Sequence, residues 1–77
     1  MTHEIPDEVT NSAVVYCINE YVRLERDRSI LIDHWFKGKS FTALENDYDL
    51  SLTTIKTIIY GIGDKILIRA ERMSRGD

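Results

Sequence analysis

The sequence predicts an all-α fold, a small helical bundle in which residues 1–77 form one domain. Two observations predict it. Apolar residues recur three or four positions apart along most of the chain, which is the spacing of one face of an α-helix. Ser40 and Ser51 each precede such a stretch, at the position where a hydroxyl group caps a helix N-terminus.

The first predicted helix covers residues 6–24 and comes after a loose arm, residues 1–5. Pro6 suits the first turn of a helix, where its missing N–H has no partner to lose, and the acids Asp7 and Glu8 favour the positive end of the helix dipole. Apolar residues from Val9 to Val22 nearly encircle this helix, so more than one face must be buried.

Two partners remain open for the second face of that helix. One is the same helix of another copy, which would make residues 6–22 a homodimer interface. The other is a long C-terminal helix of the same chain. A chain of 77 residues is near the lower size limit for a stable single core, which favours association.

A second helix is predicted over residues 26–37, where Ile30, Leu31 and Trp35 lie on one stripe and Gly38 provides a left-handed C-terminal cap. This helix is expected to brace the two short helices of residues 40–60. The preceding charged stretch, residues 23–28, is either a solvated junction with local ion pairs or a contact for phosphate or an acidic partner.

Residues 40–60 have the pattern of two short helices around a tight turn at residues 49–51, with Leu44, Tyr48, Leu50 and Ile55 sharing a small core. The pattern continues through residues 61–73 as a C-terminal helical extension, so one helix is able to run from Leu52 to Met73. Gly61 and Gly63 each cost about 1 kcal/mol in a helix interior, and indicate a kink or a close helix crossing.

The apolar side of the second short helix is expected to pack on the core, which leaves four side chains on its outward side: Thr53, Lys56, Thr57 and Tyr60. A helix that exposes short polar groups and a lysine has the character of a recognition helix in a DNA-binding helix-turn-helix. We therefore expect residues 52–60 to enter the major groove of double-stranded DNA. Phosphate contacts are expected from Ser51, Lys37, Lys39 and Arg28, while solvated loop lysines are the open alternative for Lys37 and Lys39.

These residues carry a family resemblance. The segments RDR at 26–28, WF at 35–36, SF at 40–41, LS at 50–51 and TIK at 54–56 resemble region four of bacterial sigma factors. They also resemble the helix-turn-helix of response regulators and of small proteins from phages and prophages of Gram-positive bacteria. The resemblance covers residues 26–66 and implies a transcription regulator of phage or mobile-element genes, with RNA polymerase or a sigma factor as a further partner.

Two positions depart from that family's pattern. Glu45 stands where a small alanine usually allows the helices to approach, and we expect it to turn outward or to meet Lys56, since burying an unpaired charge is costly. Asp49 stands where glycine often makes the turn. Aspartate tolerates the left-handed conformation better than most residues, so the turn is expected to form.

Charge favours an alternative function. The net charge is −3, and acids and bases occupy separate blocks: residues 1–22 and 40–50 contain acids but no lysine or arginine. Because neutralising phosphates supplies most non-specific affinity for DNA, an acidic chain also fits a protein-interaction module on a helix-turn-helix scaffold, one that binds RNA polymerase or a sigma factor rather than DNA.

Other classes of function have little support in the sequence. No catalytic Ser/His/Asp or Cys/His arrangement, nucleotide-binding fingerprint or metal-ligand spacing is evident, so neither enzyme activity nor a cofactor nor a metal is expected. Cys17 is expected to be a buried small hydrophobe. No stretch has the ~20 apolar residues that a membrane span needs, and a cytoplasmic location is expected.

Overall fold

The computed structural model describes residues 9–75, and the regular elements within that range are all helices. The helices are α1 (Asn11–Tyr21), α2 (Glu25–Trp35), α3 (Phe41–Tyr48), α4 (Leu52–Lys56) and α5 (Gly63–Arg75), with a π-helical segment (Thr57–Ile62) between α4 and α5. The predicted small all-α bundle is confirmed.

The first helix begins later than predicted. Thr10 has an extended backbone, and its hydroxyl oxygen accepts a hydrogen bond from the Ala13 N–H at 3.2 Å, so it caps a helix that starts at Asn11. The predicted start at Pro6, like the arm of residues 1–5, lies outside the described residues. At the other end Val22 is extended, which ends α1 at Tyr21 instead of residue 24.

α5 packs along α1, so a C-terminal helix of the same chain supplies one of the two partners that the sequence left open for α1. The buried side of α1 consists of Ala13, Val14, Cys17 and Ile18. Its other apolar side chains, Val15, Tyr16 and Tyr21, are 36%, 51% and 52% exposed. The homodimer through residues 6–22 stays a prediction, and these exposed side chains are the apolar surface it would use.

Cys17 lies at the contact between α1 and α5. It is fully buried, and its Sγ lies 3.6 Å from Sδ of Met73. Burial raises the pKa of the Cys17 thiol, and the positive charge of Arg69 opposes that rise only in part. The thiol therefore stays protonated and behaves as the small hydrophobe that the sequence predicts.

One hydrophobic core joins all the helices. Its largest fully buried side chains come from each α-helix and from the π-helical segment: Ile18, Ile30, Leu31, Leu44, Ile55, Ile59 and Ile66. Half-buried aromatic residues from α2 and α3 close its edges. Burying a branched side chain of this size contributes about 1.5–3 kcal/mol, so the core is the main source of stability in so small a domain.

α4, the π-helical segment and α5 form one continuous helical stretch, residues 52–75, as the sequence allowed. In the π-helical part the Gly63 N–H donates to the Ile58 carbonyl, five residues back. A Cβ atom on Gly63 would lie 3.0 Å from Cζ2 of Trp35, whereas one on Gly61 would meet nothing within 4 Å. The close helix crossing that the two glycines indicated is therefore at Gly63, where the long helix meets α2.

This difference predicts opposite effects for two identical substitutions. Gly61→Ala should raise the free energy of unfolding by roughly 0.5–1 kcal/mol, because alanine favours a helix over glycine. Gly63→Ala gains the same preference but pushes against the Trp35 ring, and such crowding typically costs about 1–3 kcal/mol. Urea unfolding measured by circular dichroism reports both, and equal stability of the two variants would contradict the close crossing.

Candidate nucleic-acid interface

The helix-turn-helix forms where the sequence predicts it. Ser40 caps α3 by accepting from the Ala43 N–H, and Ser51 caps α4 by accepting from the Thr54 N–H, both at 3.2 Å. Between them Asp49 is left-handed, with φ 53° and ψ 47°. It therefore takes the conformation expected of a residue standing in for glycine.

An apolar wedge holds α4 from behind. Leu44 of α3 and Ile55 of α4 are fully buried, and Ile58 and Ile59 continue the buried side into the π-helical segment. Glu45 is half-buried, and no ion pair joins it to Lys56 within the described residues. The wedge is thus built from aliphatic side chains and leaves the opposite side of α4 to solvent.

The four side chains predicted to face outward are all exposed. Lys56 forms no ion pair with a described residue, so its ammonium group is available. The Thr57 hydroxyl donates to the Thr53 carbonyl at 2.9 Å. Tyr60 is 38% exposed, and its ring meets Phe41 edge-on with centroids 5.9 Å apart. Together these side chains form a polar strip, which we call the α4 face: Thr53, Lys56, Thr57 and Tyr60.

A buried carboxylate ties α2 to α3 behind this face. The side chain of Asp33 is 11% exposed, and its Oδ2 accepts a hydrogen bond from the Tyr48 hydroxyl at 2.6 Å. Lys37 lies 3.4 Å and Lys39 3.7 Å from its oxygens. The Tyr48 hydrogen bond, with the two lysines, outweighs burial and lowers the pKa of Asp33 below its ordinary 3.8.

The loop of residues 36–40 is fixed at several points. Its Lys39 N–H donates to the Asp33 carbonyl at 3.1 Å, and His34 Nδ1 lies 2.9 Å from the Lys39 carbonyl oxygen. Gly38 has a φ of 71°, the left-handed conformation predicted for it. The entry to the helix-turn-helix is therefore held by α2 through both backbone and side chains.

Several predicted phosphate-binding residues have partners inside the protein. Lys39 Nζ donates to Asp47 Oδ2 at 2.6 Å, which raises the pKa of Lys39, and Lys37 pairs with Asp33. Arg28 Nη1 donates to the Val22 carbonyl at 3.2 Å, where it closes the end of α1. The Ser51 hydroxyl is used as a helix cap. Each would have to share or exchange a partner to hold a phosphate.

Two acidic partners were not identified from the sequence. Asp33 and Lys37 stand four residues apart, a spacing that favours ion pairs on a helix, and this was the available signal. Asp47 lies eight residues from Lys39 and in a different element, so no local pattern joins them. The contacts that neutralise the loop lysines are thus only partly visible in the sequence.

The chain was compared with protein-family models, curated proteins and solved structures, and none of the three comparisons finds a match. The resemblance to sigma region four therefore stays a prediction. Within residues 9–75, no helix is long and apolar enough to cross a membrane, and no three His, Cys, Asp or Glu side chains are grouped as metal ligands.

The Asp33 contacts predict an acid-sensitive contribution to stability. Because the pKa of Asp33 is lower in the folded protein than its ordinary 3.8, this contribution is complete above pH 3.8 and is lost as the pH falls below that value. Tyr48→Phe removes the hydrogen bond and should cost about 1–3 kcal/mol at neutral pH. Urea unfolding between about pH 3 and pH 7 should show that the free energy of unfolding falls less on acidification in the variant than in the wild type.

Tyr60→Phe is a matched control for that measurement, because Tyr60 is also a tyrosine of this motif and is not among the groups that shift the pKa of Asp33. Its pH profile should keep the shape of the wild-type profile. If the free energy of unfolding of Tyr48→Phe fell with acidification as steeply as that of the wild type, Asp33 would not be the group responsible for the acid sensitivity.

Proposed function

We propose that this protein is a DNA-binding transcription regulator that places residues 52–60 in the major groove of double-stranded DNA. One observation carries the proposal: a capped helix, wedged from behind, exposes the α4 face. Threonine hydroxyls and a lysine are suited to contact base edges and the adjacent phosphates. By the family resemblance, it would act in the cytoplasm on genes of a phage or mobile element.

Affinity for phosphate should be modest under this proposal. Lys37 and Lys39 are paired with carboxylates, which leaves Lys56 as the free cation of the α4 face. Since each neutralised phosphate contributes to non-specific affinity, a surface with few free cations engages few phosphates. Discrimination between sequences would then depend on contacts from Thr53, Lys56 and Thr57 to base edges.

The same ion pairs favour a second candidate function, a protein-interaction module. A helix-turn-helix whose loop lysines are neutralised by Asp33 and Asp47 presents a nearly uncharged surface beside the α4 face. Such a surface suits contact with a protein better than contact with a polyanion. By the family resemblance, its partner would be RNA polymerase or a sigma factor.

A selection from a pool of random DNA duplexes tests the first proposal. We expect a preferred sequence to be enriched at low salt, and Lys56→Ala/Thr57→Ala to lose that preference. Both side chains are exposed, so the stability of the double variant should stay within about 0.5 kcal/mol of wild type. Lys65→Ala/Ser12→Ala, which changes two exposed side chains outside the α4 face, is the matched control and should keep the preference.

Salt dependence supplies the decisive second measurement. Titration of the selected duplex at several salt concentrations should give a linear fall of log affinity with log salt. Lys56→Ala should make that slope shallower by about 0.9, the contribution of one phosphate. If no duplex is enriched at low salt, the protein-interaction module is the better account. If duplexes bind to the double variant as well as to the wild type, another surface of the protein recognises the DNA.

A further inference from the structure

A cleft of about 380 Å³ lies away from the α4 face, where the junction of α1 and α2 meets the π-helical segment and α5. Val22 and Ile66 are buried in its wall, and Ile62 is half-buried. Tyr21 and Leu24, 52% and 57% exposed, stand beside them. The volume is in the range of sites that hold a small ligand or a few residues of a peptide.

Three basic side chains line the same cleft: Arg23, Lys65 and Arg69. None of them pairs with a carboxylate of the described residues, in contrast to Lys37 and Lys39. The Arg69 guanidinium lies 4.2 Å from the centroid of the Tyr21 ring. Lys65 and Arg69 are four residues apart on α5, one helical turn, so their Cβ atoms lie about 5–6 Å apart on one side of the helix.

A buried carboxylate also lines this cleft. The Asp27 side chain is 7% exposed, and its Oδ1 accepts from Arg26 Nε at 3.1 Å and lies 3.0 Å from Arg26 Nη2. Its other oxygen, Oδ2, receives no hydrogen bond from a described residue. Because Asp27 lines the cleft, this oxygen is an acceptor for a donor group of a bound molecule.

We propose that the cleft binds an acidic segment of a partner protein. An aliphatic side chain of that segment packs against Val22 and Ile66. Carboxylates one helical turn apart meet Lys65 and Arg69, and an N–H group donates to Asp27. This interaction is separate from the α4 face and does not depend on DNA binding.

The lining of the cleft favours a peptide over a nucleic acid. The Asp27 carboxylate repels phosphate and carboxylate groups alike, so the difference comes from the rest of the lining: a phosphate backbone has no group to cover Val22 and Ile66 and no donor for Asp27. A peptide offers all three kinds of group: carboxylates, an aliphatic side chain and N–H donors. The combination of three cations, an apolar wall and a carboxylate acceptor is therefore matched by an acidic, partly apolar segment.

A phage-displayed library of random peptides of about 12 residues, selected on the immobilised full chain, tests the proposal. We expect enrichment of peptides with two acidic residues beside an aliphatic one. Fluorescence anisotropy with the synthesised peptides should show that Lys65→Glu weakens binding at least about tenfold. Lys56→Glu makes the same charge change on the α4 face of the same long helix and should leave the affinity within about twofold.

A second variant separates the proposal from simple attraction of anions. Asp27→Asn removes a negative charge, so a purely electrostatic anion site would bind the acidic peptide more tightly. We expect weaker binding by about threefold or more: the Asn oxygen stays on Arg26, so its NH2 group replaces the Oδ2 acceptor of the peptide N–H. Urea unfolding of the variant checks that it is folded at the assay temperature.

Several results would overturn the proposal: no enrichment of acidic peptides, enriched peptides that bind Lys65→Glu as well as wild type, or tighter binding to Asp27→Asn. Random duplex DNA is the competitor in the same assay. If duplex DNA displaces the peptides and its own affinity falls with Lys65→Glu but not with Lys56→Glu, the cleft is a phosphate site instead.

Discussion

The position of the helix-turn-helix depends on one buried carboxylate, that of Asp33. α3 has only eight residues, too few to be stable by itself, so its orientation must come from tertiary contacts. The Tyr48 hydroxyl and two loop lysines satisfy Asp33, and a buried charge is tolerated only with such partners. Because α3 supports α4, this cluster of polar contacts adds to the apolar wedge of Leu44 and Ile55 in positioning the α4 face.

The described lysine and arginine side chains differ in whether they have a partner inside the protein. Those of residues 25–39 have partners inside the protein: Arg26 with Asp27, Arg28 with the Val22 carbonyl, and both lysines with aspartates. On the long helix, Lys56, Lys65 and Arg69 pair with no carboxylate of residues 9–75. The positive potential available to a partner therefore comes mainly from these three side chains and from Arg23.

The long helix also connects two surfaces of different chemistry. Its first part carries the α4 face, and its last part forms one wall of the cleft beside Asp27. The π-helical segment carries Thr57 and Tyr60 of the first surface and Ile62 of the second, so it contributes to both. Gly63 lets this segment pass close to Trp35. The relative orientation of the two surfaces is thus set where α2 crosses the helix.

The sequence by itself determined the helices, the serine caps, the left-handed Asp49 and the outward position of Lys56, because capping and apolar spacing act within one helical turn. Only the tertiary structure decided that α5 covers α1 and that Lys39 is neutralised. The reason is distance along the chain: Asp33 and Tyr48 are fifteen residues apart, and Cys17 and Met73 fifty-six. The periodicity of apolar residues in the sequence does not indicate contacts between residues that far apart.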